Sequence, residues 1–286
     1  MPESQLTSPL APESPIKMLG SKNGYQLAQC TSTGHGFVVN RPGFAELAEF
    51  YSVNRSAHLF SDDLREQVFP GSKTDAYRYV KMFAKSDCFP GSFLEVGAGW
   101  GYASEFAAQR GCKVTALEQS PECVASLVER IGSSGEVLLT SFEDFQPRAM
   151  RAYDFILMSQ VLEHSIDPSV WLLKAKGLLK EGGILVVAVP QFLGLYSFLG
   201  LNDPFICPPE HLNFFTKKSL RIFAENAGFR HLTTKTYSRI PYFSLKAKLK
   251  SSVAARIVYE SLKLPFFCLD TIGVSMIQIQ VFKGLA

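Results

Sequence analysis

A doubly wound α/β fold on a mostly parallel sheet is what the sequence predicts from Ser92 onward, and three observations carry that reading. Strand and helix signals alternate, the pattern of parallel strands joined by crossover helices on both faces. Helical stretches stop at Gly111, Gly132 and Gly228, where a C-cap favours φ > 0. The run Phe93-Leu94-Glu95-Val96-Gly97-Ala98-Gly99-Trp100-Gly101 carries an apolar strand into glycines at every second position. Such glycines let the backbone approach a ligand with no Cβ in the way.

The elements follow in order. Residues 1–20 read as a disordered tail, because Met1 to Pro15 is rich in Ser, Pro and Glu and has no apolar h-region. Residues 21–85 form a small N-terminal lobe with linking helices. Short strands fit Tyr25–Leu27 and Gly36–Val39, and helical spacing fits Gly43–Tyr51 and Asp75–Ala84. The main domain spans 86–286. Its strands are Ser92–Val96, Lys113–Leu117, Glu136–Leu139, Tyr153–Met158 and Ile184–Val189. Its helices are Gly101–Arg110, Pro121–Ile131, Pro168–Leu179 and Ser219–Ala227. Two last strands fit Leu232–Tyr237 and Val274–Phe282, and the 240–270 insertion between them is long enough to carry its own helix as a lid.

Composition narrows the function classes. The chain has 286 residues, 47% of them hydrophobic, enough for one large core and an appendage. A net charge of +3 with no basic stripe gives no case for nucleic acid. Six cysteines are scattered with no C-x-x-C pair, which reads as reduced thiols in a cytoplasmic protein. The longest apolar run, Gly183 to Leu201, is interrupted by Pro190 and Gln191 and reads as a buried strand plus a loop, since a membrane span needs about twenty apolar residues.

Spacing then chooses among ligands. A dinucleotide fingerprint is G-x-G-x-x-G, and its third glycine would fall on Tyr102. Glu95 also argues against phosphate at the following helix N-terminus. The second strand ends in Glu118, where a carboxylate can take both hydroxyls of a ribose. These residues resemble the class I S-adenosylmethionine-dependent methyltransferases, whose sheet has seven strands and ends in an antiparallel hairpin. The resemblance implies S-adenosyl-L-methionine as cofactor, with S-adenosyl-L-homocysteine as product. It implies that Glu95, Gly97, Ala98, Gly99 and Gly101 wrap the amino-acid end, and that Glu118 and Gln119 hold the ribose. It also implies an adenine contact behind the third strand, where Phe142 could stack and Glu143 accept from the exocyclic amine. The alternative there is a core Phe142 and a turn-capping Glu143-Asp144.

Behind the fourth strand, Ser159-Gln160-Val161-Leu162-Glu163-His164 resembles the V-L-E-H segment of small-molecule methyltransferases, including ubiquinone-type O-methyltransferases. That places Ser159 and Gln160 along the methionine arm and favours a structural His164. The acceptor loop 190–216 ends in Cys207-Pro208-Pro209-Glu210-His211-Leu212-Asn213-Phe214-Phe215-Thr216, with Thr216 or Ser219 capping the next helix. It resembles the E-H-x-x-x-(F/Y) segment of a group that includes deoxysugar C-methyltransferases. The resemblance implies His211 and Glu210 as the proton-moving pair; the alternative is a pair that pins the loop. His suits proton transfer near neutrality.

The same group carries an N-terminal zinc module, and Gly24-Tyr25, Cys30, Gly34-x-Gly36-Phe37 and Arg41-Pro42 follow its order. Thr33 stands where a partner cysteine belongs, and Cys30 with His35 cannot make a four-ligand site, so no metal is expected. Tyr77 and Tyr79 lie on the linking helix, and Tyr77 is a candidate for contact with acceptor or cofactor, against a plain packing role. The segment Leu245–Leu264 sets Lys246, Lys248, Lys250, Arg256 and Lys263 among apolar residues; it reads as a solvated lid helix, with membrane contact as the competing reading. The expected activity is methyl transfer to carbon or oxygen of a small-molecule acceptor, a sugar or secondary metabolite. A lipid-like quinol O-methyltransferase and a non-catalytic S-adenosylmethionine-binding module are the alternatives. Oligomeric state is not legible.

Overall fold

The computed structural model describes residues 7–43, 45–47, 49–50, 71–240, 246 and 248–285. A small antiparallel sheet comprises β1 (Ile16–Lys22), β2 (Tyr25–Cys30), β3 (Gly36–Val38) and β9 (Asn213–Phe214), in that order. The large sheet is built from β4 (Ser92–Val96), β5 (Lys113–Glu118), β6 (Gly135–Leu139), β7 (Tyr153–Ser159), β8 (Leu179–Pro190), β10 (Phe229–Tyr237) and β11 (Ile277–Gly284). Its order is β10-β11-β8-β7-β4-β5-β6. The five strands from β8 to β6 are parallel, and β11 pairs antiparallel with both β8 and β10. The doubly wound, seven-stranded expectation holds.

Strand residues face alternate sides, and both sides are covered. Phe93, Phe155, Leu157 and Val186 face one core, closed by α1 (Ser72–Phe83), α2 (Tyr102–Ala108) and α3 (Pro121–Ile131). Leu94, Ile156, Met158 and Val187 face the other, closed by α4 (Pro168–Leu178) and α5 (Lys217–Asn226). Each such side chain contributes about 1.5–3 kcal/mol on burial. The helix starts follow local chemistry. Asp167 caps α4 by accepting from Ser169 N and Val170 N, with Pro168 at the first turn. Thr216 and Ser219 form a reciprocal capping box on α5, so both cap candidates take part. The last helix, α6 (Ser252–Thr271), fills the insertion and buries only Ala255.

Several boundaries differ from the sequence reading. β1 begins at Ile16, inside the expected disordered tail, because its hydrogen bonds to β2 hold a strand whose side chains are largely exposed and give no apolar signal. Helix α4 stops at Leu178 and β8 starts at once, with a register shift after Leu179. Lys180 donates to Asp154 (2.7 Å), which also accepts from Ser92 N and Oγ, so one carboxylate ties the starts of three strands. β10 starts at Phe229, before the expected Leu232, because Phe229 is buried against Phe282. The expected helix over Gly43–Tyr51 is helical at 45–47 and 49–50; its other residues, apart from Gly43, lie outside the described ones.

The small lobe is not separate. Its fourth strand, β9, comes from the acceptor loop. Arg41 Nη2 donates to Asn213 Oδ1 (3.0 Å), and Arg41 Nη1 to the Ile166 carbonyl. Leu27, Val38, Phe192, Ile206, Leu212 and Phe214 form a third core between lobe and loop. Of the two residues singled out for the zinc module, Cys30 has its thiol 3.3 Å from Ser32 Oγ. His35 is buried between Phe37, Phe215 and Phe223, its ring nitrogens without hydrogen-bond partners, and burial pushes its pKa down to about 3.

Candidate functional site

Ligands of parallel α/β sheets bind beyond the carboxyl ends of the strands. The residues singled out after β4, β5 and β7 lie there. Behind β4 the chain turns through Gly97, Gly99 and Gly101, all at positive φ. Each glycine answers a different need. A Cβ on Gly97 would stand 2.5 Å from Val161 Cγ1, and one on Gly101 2.5 Å from Leu127 Cδ2. A Cβ on Gly99 would meet nothing within 4 Å. Gly99 is therefore the point where open space reaches the backbone. Ala98 N donates to the Leu117 carbonyl (2.9 Å), which fixes the loop to β5.

Glu118 organises the same turn. Its Oε2 accepts from Gly99 N (2.7 Å), and its Oε1 from Gln119 N (2.8 Å) and Ser120 N (2.7 Å). A carboxylate has about four lone-pair sites and three are taken here, so one, on Oε2, is left for a hydroxyl of a vicinal diol. Gln119 is exposed beside it. Glu95 is buried one turn behind the loop and accepts from Ser104 Oγ (2.6 Å). Burial pushes its pKa up to about 7, and the Glu118 charge adds to that. An open-faced glycine, a diol acceptor and a buried acid short of positive charge fit a nucleoside with an ammonium-bearing arm.

Behind β6 the expectation needs correction. Phe142 is buried and packs edge-on against Trp171 (5.2 Å), so its ring belongs to the core and is not free to stack on a base. Glu143 is exposed and accepts from Trp171 Nε1 (2.9 Å). Lys174 Nζ donates to the carbonyls of Phe142, Glu143 and Phe145, fixing this turn.

Behind β7, Gln160 has φ 55°, a left-handed conformation that costs a non-glycine residue energy and marks sites where surroundings impose it. Its N–H and its Nε2 both donate to the Ala188 carbonyl (2.8 and 3.2 Å). Ser159 interacts instead with the Tyr79 hydroxyl. Tyr77 is corrected: it packs on Phe106, under Arg110 and Lys81, on the outer contact of α1 and α2. Tyr79 is the tyrosine that points inward. It is buried with its hydroxyl 2.7 Å from that of Tyr237, and burial pushes its pKa up to about 12. Asp75 on α1 pairs with Arg239 and Arg78, and Arg78 lies over the Tyr237 ring (4.7 Å). Sequence reading missed Tyr237, Asp75 and Arg239, because the three segments meet only in the folded chain.

The acceptor loop brings together two Glu-His pairs that the sequence holds 47 residues apart. His164 and His211 stand edge to face (4.8 Å). His164 Nδ1 is 2.8 Å from the Glu210 carbonyl, and its Nε2 3.1 Å from the Gln160 carbonyl, the structural role expected of it. His211 Nδ1 donates to the Phe205 carbonyl (2.7 Å), which leaves Nε2 with the lone pair. Enclosure, with His164 beside it, pushes the His211 pKa down to about 3. Glu210 is exposed, its carboxylate lies within 4.8 Å of a His211 ring nitrogen and of Cys207 Sγ, and its main-chain carbonyl makes the contact to His164. A second carboxylate, which the sequence reading did not place in the cluster, is Glu163. It is buried, neither oxygen has a hydrogen-bond partner, and burial pushes its pKa up to about 8. Nitrogen and oxygen atoms of Glu163, His164 and His211 lie within 4.8 Å of one another, a set that could also receive a divalent cation. His211 opens on a narrow cavity lined by Gln191, Phe192, Asp203, Phe205 and Asn213. Asn213 Nδ2 donates to the Ser165 carbonyl (2.7 Å), locking the loop over the end of β7.

Comparisons with known proteins agree with this geometry. A family model described as a methyltransferase domain matches residues 64–234, more than half of the chain. A ubiquinone biosynthesis O-methyltransferase of Xanthomonas oryzae pv. oryzae is 32% identical over 108 residues, 37% of this chain and 45% of that one. The chain thus spans less than half the length of the curated relatives it matches. The 1,6-didemethyltoxoflavin-N1-methyltransferase of Burkholderia thailandensis, solved with 1,6-didemethyltoxoflavin and S-adenosylhomocysteine, is similar in structure. Its TM-score is 0.53 at 16% identity, with 88% of this chain and 96% of that one covered. A SAM-dependent methyltransferase of Thermotoga maritima gives 0.56 at 18% identity, covering 82% and 98%. At such identities these structures speak for the fold.

Proposed function

The chain belongs to the methyltransferase-domain family of class I S-adenosylmethionine-dependent enzymes, and from that premise we propose that it methylates an oxygen or carbon of a small molecule held under the Cys207–Thr216 loop. The observation that carries this reading is the shared edge. The open face of Gly99 and the lone pair of His211 Nε2 belong to the segments that follow β4 and β8, the two parallel strands that flank β7.

S-adenosylmethionine, when bound, supplies a methyl on a sulfonium, already a good leaving group. What remains for the protein is alignment and removal of the acceptor's proton. Glu118 accepts from a ribose hydroxyl and keeps the glycine turn in shape through Gly99 N. Glu95, ionised beside an ammonium, holds the amino-acid arm, with Ser159 and the strained Gln160 along it. The acceptor approaches His211 from the mouth of the narrow cavity, whose own room of about 10 Å³ admits little more than a water, and Nε2 receives its proton. A neutral imidazole of low basicity suits acceptors whose proton is itself acidic, a phenol or a carbon beside a carbonyl, better than a plain alcohol. Keto-sugars and enolisable secondary metabolites meet that requirement.

The ubiquinone relatives favour a second reading, a lipid-like quinol as acceptor, which also offers a phenolic proton. Release of S-adenosylhomocysteine from the full chain, across a panel of enolisable sugars and phenols, tests both. Turnover with one class, reduced about 10²-fold or more in His211→Gln while S-adenosylmethionine binding persists, supports the proposal. Binding without turnover on any acceptor, or turnover indifferent to His211→Gln, favours the binding-module alternative or a different base.

A further inference from the structure

The last helix leaves its outer side open. Val253, Ile257, Leu264 and Phe267 recur at spacings of four, seven and three, which places them on one stripe of α6. They are between 64% and 71% exposed, whereas α6 buries only Ala255. Ordinary surface helices turn such a stripe to the core. Here the core side of α6 rests lightly on β10: Thr236 Oγ1 donates to the Asp270 carbonyl, and Asp270 accepts from Ser238 N and Oγ.

The stripe continues toward the acceptor loop. Ile272 is also exposed, and the next residues are stitched to the loop: Gln191 Nε2 donates to the Gly273 carbonyl (2.9 Å) and Leu195 N to the Ser275 carbonyl (2.9 Å). That loop exposes Leu193, and in the turn that follows Phe198 is 78% exposed. Charge is concentrated just before and along the same helix. Lys246, Lys248, Lys250, Arg256 and Lys263 are all exposed, against Glu260 and Asp270 as the carboxylates of the segment. Asp270 is engaged with Ser238. The segment's excess of three positive charges equals the net charge of the whole chain. Arg256 and Lys263 each directly precede a stripe residue, so they flank it. No helix among the described residues is long and apolar enough to cross a membrane.

We propose that this face, the outer stripe of α6 with the exposed tips of the acceptor loop, seats the protein on an anionic lipid bilayer, α6 lying in the interface. An apolar stripe rimmed by Lys and Arg is the composition that binds such surfaces, by apolar burial together with attraction to anionic headgroups. A second copy of the chain would bring the same cations against each other, which disfavours self-docking through this face. The docking itself does not need methyl transfer. Its consequence, an apolar acceptor reaching the cavity beside His211 from the lipid, rests on the function proposed above.

Flotation of the full chain tests it, with vesicles of phosphatidylcholine alone and of phosphatidylcholine and phosphatidylglycerol in equal parts. The chain floats with the mixed vesicles, at least tenfold more than with phosphatidylcholine alone, and high salt releases it. The double variant Ile257→Glu/Phe267→Glu loses at least tenfold of that association. The charge variant Lys248→Glu/Lys250→Glu weakens it. All three proteins bind S-adenosylmethionine alike in calorimetry, which shows that the variants fold. Absence of flotation, or undiminished flotation of the apolar variant, overturns the proposal. So does a concentration-dependent dimer that the same double variant dissolves, which would assign the stripe to a second copy. Failure of S-adenosylmethionine to bind the parent chain would instead count against the function.

Discussion

Tyr77 and Tyr79 sit two residues apart on α1, and two residues turn a helix by more than a right angle, so one faces out when the other faces in. Sequence could place both on the linking helix and could not say which face the sheet would cover. Tyr79→Phe removes hydroxyl contacts to Tyr237 and Ser159 and leaves buried polar atoms unsatisfied, so it costs about 1–3 kcal/mol in urea unfolding. Tyr77→Phe stays within about 0.5 kcal/mol of the parent in the same measurement. Phe142 carries a similar lesson: an aromatic beside a ligand strand reads as a stacking platform until the indole of Trp171 is seen against it. Glu95 was legible as an acid before glycines, but its proton was not. With a pKa near 7, it must ionise to meet an ammonium. Binding of S-adenosylmethionine therefore releases a proton and tightens as pH rises from about 5.5 to about 7. Calorimetry in two buffers of different ionisation heat reads this directly, and Glu95→Gln abolishes the release.

At the scale of elements, the βαβ units and the glycine turn were readable because period, glycine stops and caps agree locally. The acceptor loop was readable in part. Glu210 and His211 were visible as a pair, but their encounter with Glu163 and His164 depends on a loop closed by Asn213 and Arg41, which no local signal reports. The three turn glycines give a contrast that tests the site's geometry. Gly99→Ala places its Cβ in open space at φ 53°, so folding loses about 1–2 kcal/mol while S-adenosylmethionine binding falls about tenfold or more. Gly101→Ala drives its Cβ into Leu127, and thermal unfolding shifts further down than in Gly99→Ala. Equal thermal losses from the two would show that Gly99 faces protein and not a ligand.

At the scale of the molecule, four buried titratable groups shape stability against pH. His35 and His211 are held near 3, below the usual 6.5, so the unfolded chain binds more protons as pH falls and their contribution is lost toward acid. Glu95 and Glu163 are held near 7 and 8, above the usual 4.5, so the folded chain binds more protons and their contribution is lost as pH rises through those values. The two slopes offset each other between about 4.5 and 6.5, and stability declines on either side. Glu163→Gln removes part of the alkaline decline, seen as a smaller drop in Tm from pH 7 to pH 9. The N-terminal lobe joins this whole through β9, and that strand escaped sequence reading because two residues carry no period.

The most direct measurement is calorimetric titration of the full chain with S-adenosylmethionine and S-adenosylhomocysteine, beside Glu118→Ala. Both ligands bind the parent chain. Glu118→Ala should lower the affinity about tenfold, roughly 1.4 kcal/mol, because the carboxylate holds Gly99 N and, on the function proposed, accepts from the ribose. Absence of binding to the parent chain, or binding indifferent to Glu118, would contradict the site described here.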